Sequence, residues 1–555
     1  MQGPGLGSGL GNVGGLKPRP ALRNASPDPA PDPEKLVEEI EGYICANPEA
    51  AVLEDGRVIF DLRTAKYSVV VAHGRCQLQL WSEERNLVRS VVGVEVRVQA
   101  LRLLTRKLGV TKPLALELVP SSDRRTPTAR DATRRNYLKT LERVLTRNFA
   151  GLTVEGLRSA MDLEHSFGPA YARGSLVRGT TAEAVIAVGD AESAAIVDGI
   201  LTLGILWLEY CRQHSNARRL FGGLKVIVPA GAWRVTAERM QWLNHRAAHF
   251  ELYQLDARSE ELTRVDLDDT GNLDARLVHA FNPQAAIERC REGLERIFKL
   301  IPVQARERVE VRARSATEVA VLLHGLDFAR VRHGVSDTSF ARIDEVSFGA
   351  GAHETPLTEE TAALAEHLFA RLFASRHADG LHADALYRLQ AERWLEAQFR
   401  ERLDEIFPAL RSDLVYTQVP ALAGGDRGML DLLTLDRDGR LTILELKADE
   451  DLHLPLQALD YWIRVRALNA DRREDEHRAG TGAVSAFERM GYFNGARVSG
   501  KNPRMILAAP ALRIHPSNET VLRYLSPEVE WELLAVAEHW RRDLTVVFRK
   551  RSGAL

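Results

Sequence analysis

Gly428-Met429-Leu430-Asp431-Leu432-Leu433-Thr434-Leu435-Asp436-Arg437-Asp438-Gly439-Arg440-Leu441-Thr442-Ile443-Leu444-Glu445-Leu446-Lys447 is two apolar runs around an Asp-Gly turn, a strong signal for a β-hairpin. The register is what matters. A three-residue loop, 437–439, with Gly439 in the left-handed region pairs Asp436 with Arg440 and sets Asp431 directly opposite Glu445. A two-residue Asp438-Gly439 loop slips the pairing by one and sets Asp431 across from Leu446. Only the first arrangement brings the two carboxylates together on one face.

Glu445 and Lys447 are two apart on a strand and share a face, so two acids and a lysine converge. Paired carboxylates suit Mg²⁺, which takes hard oxygen ligands and keeps several waters. A lysine beside them can position water and offset phosphate charge. An acid-x-lysine tripeptide is cheap by chance, and only the hairpin around it makes this one informative. Ten residues beyond Lys447, Gln457 and Tyr461 stand i, i+4 on one face of an expected helix. Upstream, a helix over about 386–407 carries an apolar stripe of Leu395, Phe399, Leu403 and Ile406. Glu396 and Glu392 lie at its edge, where a carboxylate is costly unless paired or metal-bound.

This set resembles the PD-(D/E)XK nuclease superfamily, and the QxxxY pattern is similar to the extra motif of its RecB-like branch. The resemblance implies Asp431, Glu445, Lys447, Gln457 and Tyr461 as the catalytic set. It implies Asp431, Glu445, Glu396 and the Leu446 carbonyl as ligands of Mg²⁺ or Mn²⁺. It also implies a restriction-endonuclease-like α/β core with a mixed central sheet. Met505-Ile506-Leu507-Ala508-Ala509, a helix from about Glu519 and Trp531-Glu532-Leu533-Leu534 supply the further elements. The segment from Asn469 to Pro503 is expected to be a loop over the site.

The remainder of the 555 residues points to an α/β multidomain chain. Residues 1–33, rich in Gly and Pro, are expected to form a disordered tail. Residues 34–130 read as a small α+β module, 131–300 as an α/β middle domain, 301–384 as a mostly helical connector, and 385–555 as the nuclease-like domain. The middle domain alternates strand, helix, strand, helix, strand over residues 183–255, which predicts a largely parallel sheet. Phe221-Gly222-Gly223-Leu224-Lys225 precedes a strand and is not a phosphate-binding loop. No internal repeat stands out.

A net charge of −2 gives no global basic signal, so a nucleic-acid partner has to meet local patches. Between Arg106 and Arg147 eleven basic residues face four acidic ones, and Arg124, Arg125, Arg134, Arg135 and Lys139 are the candidate backbone contacts. A solvated helix face explains the same charges equally well. His245 and His249 are i, i+4 on an expected helix, but without a metalloprotease glutamate or a third ligand. Four scattered cysteines argue against disulfides and fit a cytoplasmic setting. No signal peptide is apparent, and the apolar run from Gly199 to Leu208 is too short to span a bilayer. The expectation is a metal-dependent nuclease in repair or defence, with DNA favoured over RNA, no membrane and a homodimer allowed. The alternative is a catalytically silent nuclease fold that binds nucleic acid or serves as a scaffold.

Overall fold

The computed structural model describes residues 32–553, apart from 55, 73, 83–85, 98–99, 107–113, 122, 124–125, 163, 216–218, 274, 336–341, 352–353, 421–428 and 475–482. Nearly all of the expected tail lies outside the described residues. The chain divides into two compact units, Met1–Thr133 and Arg134–Leu555.

In the first unit, Asp32 caps helix α1 (Pro33–Ala46) by accepting from the Glu34 N–H. Seven strands follow: β1 (Ala51–Glu54), β2 (Arg57–Asp61), β3 (Lys66–Ala72), β4 (Arg75–Trp81), β5 (Asn86–Arg97), β6 (Ala100–Arg106) and β7 (Leu114–Val119). They form one antiparallel sheet in the order β2-β1-β7-β6-β5-β4-β3. Leu36, Ile40 and Ile44, spaced by four along α1, pack on the Leu78, Leu80, Leu103 and Leu116 face of that sheet.

The second unit holds three large sheets. Helix α2 (Pro127–Asn148) leads into the first, built from β8 (Thr153–Arg158), β9 (Tyr171–Arg178) and β10 (Thr181–Val188). Helices α3 (Ala194–Asp198) and α4 (Ile200–His214), strand β11 (Leu220–Pro229), helix α5 (Arg234–Met240) and strands β12 (His249–Asp256) and β13 (Glu261–Arg264) complete it. The order is β13-β12-β11-β10-β9-β8, with β10, β11 and β12 parallel as the alternation predicts and the outer pairs antiparallel. Helices α4 and α5 cover one face and α2 the other. The first helix of that alternation is divided at Gly199 into α3 and α4.

Residues 301–384 are not mostly helical. Between α6 (Pro283–Arg289), α7 (Arg291–Leu300) and α8 (Ala362–Ser375) lies an antiparallel sheet of β14 (Val309–Ser315), β15 (Glu318–Leu323), β16 (Leu326–Val335), β17 (Arg342–Phe348) and β18 (Thr355–Pro356). The charged residues that suggested a helix alternate with apolar ones, and they pair across strands: Arg314 with Asp327, Arg332 with Glu318.

The last sheet follows helices α9 (Ala385–Arg388), α10 (Ala391–Glu401) and α11 (Leu403–Ile406), into which the single helix expected over 386–407 is divided. Gln390, left-handed at φ 47°, makes the first break. Strands β19 (Tyr416–Pro420), β20 (Met429–Leu435) and β21 (Leu441–Leu446) lead to helix α12 (Leu454–Ala470). The short β22 (Arg473–Glu474), β23 (Ala483–Val484) and α13 (Ala486–Arg489) precede β24 (Arg504–Pro510), α14 (Ser517–Arg523), β25 (Trp531–Val536) and β26 (Val546–Arg551). The order is β19-β20-β21-β24-β25-β26, with β21, β24 and β25 parallel. The described part of the 469–503 segment is packed rather than a free loop, since Phe487, Phe493 and Val498 are buried in the core.

Candidate active site

The hairpin adopts the three-residue loop. Leu435 pairs with Leu441 and Leu432 with Leu444, so one further step sets Asp431 opposite Glu445. Gly439 is left-handed at φ 79°, and its N–H donates to the Asp436 carbonyl at 3.0 Å. The Asp436 carboxylate accepts from the N–H groups of Asp438 and Arg440, fixing the turn.

Asp431 Oδ2 accepts from the Leu446 N–H at 2.9 Å. Burial, with the nearby Glu396 and Glu392 charges, outweighs that hydrogen bond and pushes the Asp431 carboxyl up to about 7. Glu445 is only 4% exposed, and its Oε2 is buried without a hydrogen-bond partner among the described residues. Burial and the facing Asp431 raise its carboxyl well above the ordinary range. A buried carboxylate oxygen with no donor, facing a second acid, is a place where a cation lowers the energy.

Lys447 Nζ lies 3.7 Å from Glu392, 3.9 Å from Glu445 and 3.9 Å from Asp451. Burial works against its ammonium, yet these carboxylates outweigh burial and hold it charged. Tyr461, on α12, is half-buried, and its phenol is raised first by burial and then by the Glu445 and Asp431 charges. Gln457 stands one turn earlier on the same helix, partly buried.

Glu396 lies deeper than expected. It is 1% exposed, within the core rather than at its edge, and is held by Arg312 at 3.1 Å and Arg393 at 2.8 Å. Arg393 also reaches within 3.9 Å of Asp431. Arg312 comes from β14, far away in sequence, and is shared with Glu310, which also binds Arg400 at 2.6 Å. Burial pushes the Glu310 carboxyl up, but Arg312 and Arg400 prevail and keep it below the ordinary range. Arg312, Arg393 and Asp451 are the residues that sequence reasoning missed. No group of three or more His, Cys, Asp or Glu side chains among the described residues is gathered tightly enough to hold a metal by itself. A cleft of about 1040 Å³ opens beside Arg393, lined also by Arg312, Arg314, Arg330, Arg400 and Tyr416.

Arg124 and Arg125 lie outside the described residues. Arg134 is bound to Glu192 at 2.7 Å, while Arg135 and Lys139 are exposed on α2. Neither His245 nor His249 is on a helix: His245 lies in the turn before β12 and faces the Met240 carbonyl, and His249 opens β12, exposed beside Glu251. His453, at the N-terminus of α12, is bonded through Nδ1 to the Thr202 hydroxyl at 3.1 Å. Among the described residues no helix is long and apolar enough to cross a membrane. Neither a family model nor a curated protein matches this chain.

Proposed function

We propose that the chain is a metal-dependent phosphodiesterase acting on nucleic acid, with DNA favoured over RNA, on a restriction-endonuclease-like C-terminal core. The observation that carries this reading is the facing pair of a partly buried Asp431 and a buried Glu445 with one donorless oxygen, and Lys447 beside them. Asp431, Glu445 and the Leu446 carbonyl would hold Mg²⁺ or Mn²⁺, a donor set of hard oxygens that leaves room for water. The bound ion would supply Lewis-acid activation of water and charge neutralisation on the phosphate. Lys447, kept cationic by its three carboxylate neighbours, orients the attacking water and meets the phosphate's negative charge. Tyr461 and Gln457 line the α12 side and position the strand. The arginine-lined cleft next to Arg393 offers the path for the phosphate backbone, in place of the basic stretch on α2.

A second reading has one observation in its favour. Arg312 and Arg393 occupy Glu396, the third acid, which is what a fold kept only for binding would tolerate. Labelled single-stranded, duplex and branched DNA, and RNA, incubated with Mg²⁺ or Mn²⁺ separate the two. Cutting that EDTA stops and that Asp431→Ala and Lys447→Ala both lose is the expected result. Binding without cutting on every substrate favours the scaffold reading, and cutting that survives both substitutions puts the chemistry elsewhere.

A further inference from the structure

The first and last sheets of the second unit have the same topology. In each, two antiparallel strands enter a parallel trio, helices connect the trio, and an antiparallel strand closes the edge. β11 ends at Pro229 and β24 at Pro510. Two residues before each proline, Ile227 pairs with Ala187 and Ala508 pairs with Leu446. Ile186 thereby corresponds to Glu445, and Val188 to Lys447. Across the hairpin Ile186 pairs with Arg173, so Arg173 corresponds to Asp431. Gly199 and His453 are the N-caps of α4 and α12, and four and eight residues on stand Leu203 and Trp207 against Gln457 and Tyr461. The side-chain surroundings agree: Tyr461 senses the Asp431 charge, and the Arg173 guanidinium lies 5.7 Å from the Trp207 ring.

The contacts between the two layers are reciprocal. α4 packs on α14, and α12 packs on α5. The Asn244 N–H donates to the Tyr524 carbonyl at 2.8 Å, and the Ser526 N–H to the Trp242 carbonyl at 2.7 Å, around a bridge from Leu243 to Leu525. The two N-caps meet, with His453 on Thr202 in the next turn of α4. When residue i meets j and the counterpart of j meets the counterpart of i, the surfaces are joined as in a two-fold dimer.

We infer that the second unit is a dimer within one chain: two copies of one fold about an approximate two-fold axis, with the facing acids and lysine at these places in the C-terminal copy alone. In the other copy, Arg173 is 1% exposed and lies 4.6 Å from the Phe167 ring, while Ile186 and Val188 are sealed in the core. Arg173, Ile186 and Val188 themselves supply no carboxylate, and the neighbouring Asp162, 4.0 Å from Arg173, is taken up by His165 at 3.0 Å. The face on which two such folds pair is filled from within, so the homodimer that the sequence allows has its partner inside the chain. Resting on the proposed function, this assigns one cut in one strand to each encounter with duplex DNA.

Sedimentation of the full chain, with supercoiled plasmid cleavage in Mn²⁺ alongside, tests the inference. A particle of one chain, 61.8 kDa, and open-circular plasmid that accumulates before linear product are expected. A dimer in sedimentation, or plasmid linearised without an open-circular stage, overturns it. Plasmid left intact removes the nuclease reading, and sedimentation then decides between internal and external pairing unaided.

Discussion

Asp431 is the residue at which stability and function pull apart. Its carboxyl is raised to about 7 in the fold by burial and by the neighbouring glutamates, against an ordinary value near ~3.9 in the unfolded chain. A carboxyl raised in this way stabilises the fold fully below the unfolded value, and that contribution is lost as pH rises through about 7. Asp431→Asn keeps an acceptor for the Leu446 N–H and removes the charge. In EDTA at pH above the raised value, the variant should therefore be more stable than wild type, by roughly 0.5–2 kcal/mol, and with Mg²⁺ or Mn²⁺ present it should not cut. At about pH 4 and below, where the carboxyl is protonated in both states, the two should melt together. Thermal denaturation at both pH values checks this, and a variant less stable than wild type under alkaline conditions would mean that Asp431 is already neutralised by its protein neighbours.

At the scale of the element, the site depends on one hairpin turn. A Cβ at Gly439 would stand 2.2 Å from the Arg497 carbonyl oxygen, and the backbone there is left-handed at φ 79°. Gly439→Ala should destabilise the chain by about 1–3 kcal/mol, seen as a lower denaturant midpoint, with cutting reduced as the Asp431–Glu445 register loosens. An unchanged midpoint would mean that the 497 segment yields. This turn was legible because an Asp-Gly pair and strict apolar runs are local signals, and the carboxylate register followed by counting. The α12 motif was legible for the same reason, since i, i+4 spacing is contained in one helix. Arg312 was not, because no spacing in the chain connects it to Glu396; only the approach of β14 to α10 does. The sheet over 309–356 was misread because its arginines and acids are cross-strand partners, which charge composition alone does not distinguish from a solvated helix face.

For the whole second unit, the decisive contact is between Arg239 of the site-less copy and Asp460 of α12. The guanidinium donates to both carboxylate oxygens at 2.8 and 2.6 Å, and again to the Asp198 carbonyl at the α3–α4 junction. Arg239 is buried, and although burial lowers its pKa, Asp460 outweighs that and holds it charged. Asp460 stands between Gln457 and Tyr461, so this pair ties the helix lining the site to the other copy. The duplication could not be read from the sequence because a sheet's topology does not require particular residues: Arg173, Ile186 and Val188 hold the places of Asp431, Glu445 and Lys447. Removing Asp460 strands a buried cation, which typically costs ~3–5 kcal/mol, with the low end expected because Asp460 is a fifth exposed at 21%. Asp460→Ala, Arg239→Ala and the double variant, compared by chemical denaturation, should show the double variant less destabilised than the sum of the singles by roughly 1–3 kcal/mol. Turnover should fall in both single variants, because α12 loses its brace from the other copy. Additive effects would show that the two copies stand together through their apolar faces alone, with α12 held independently of Arg239.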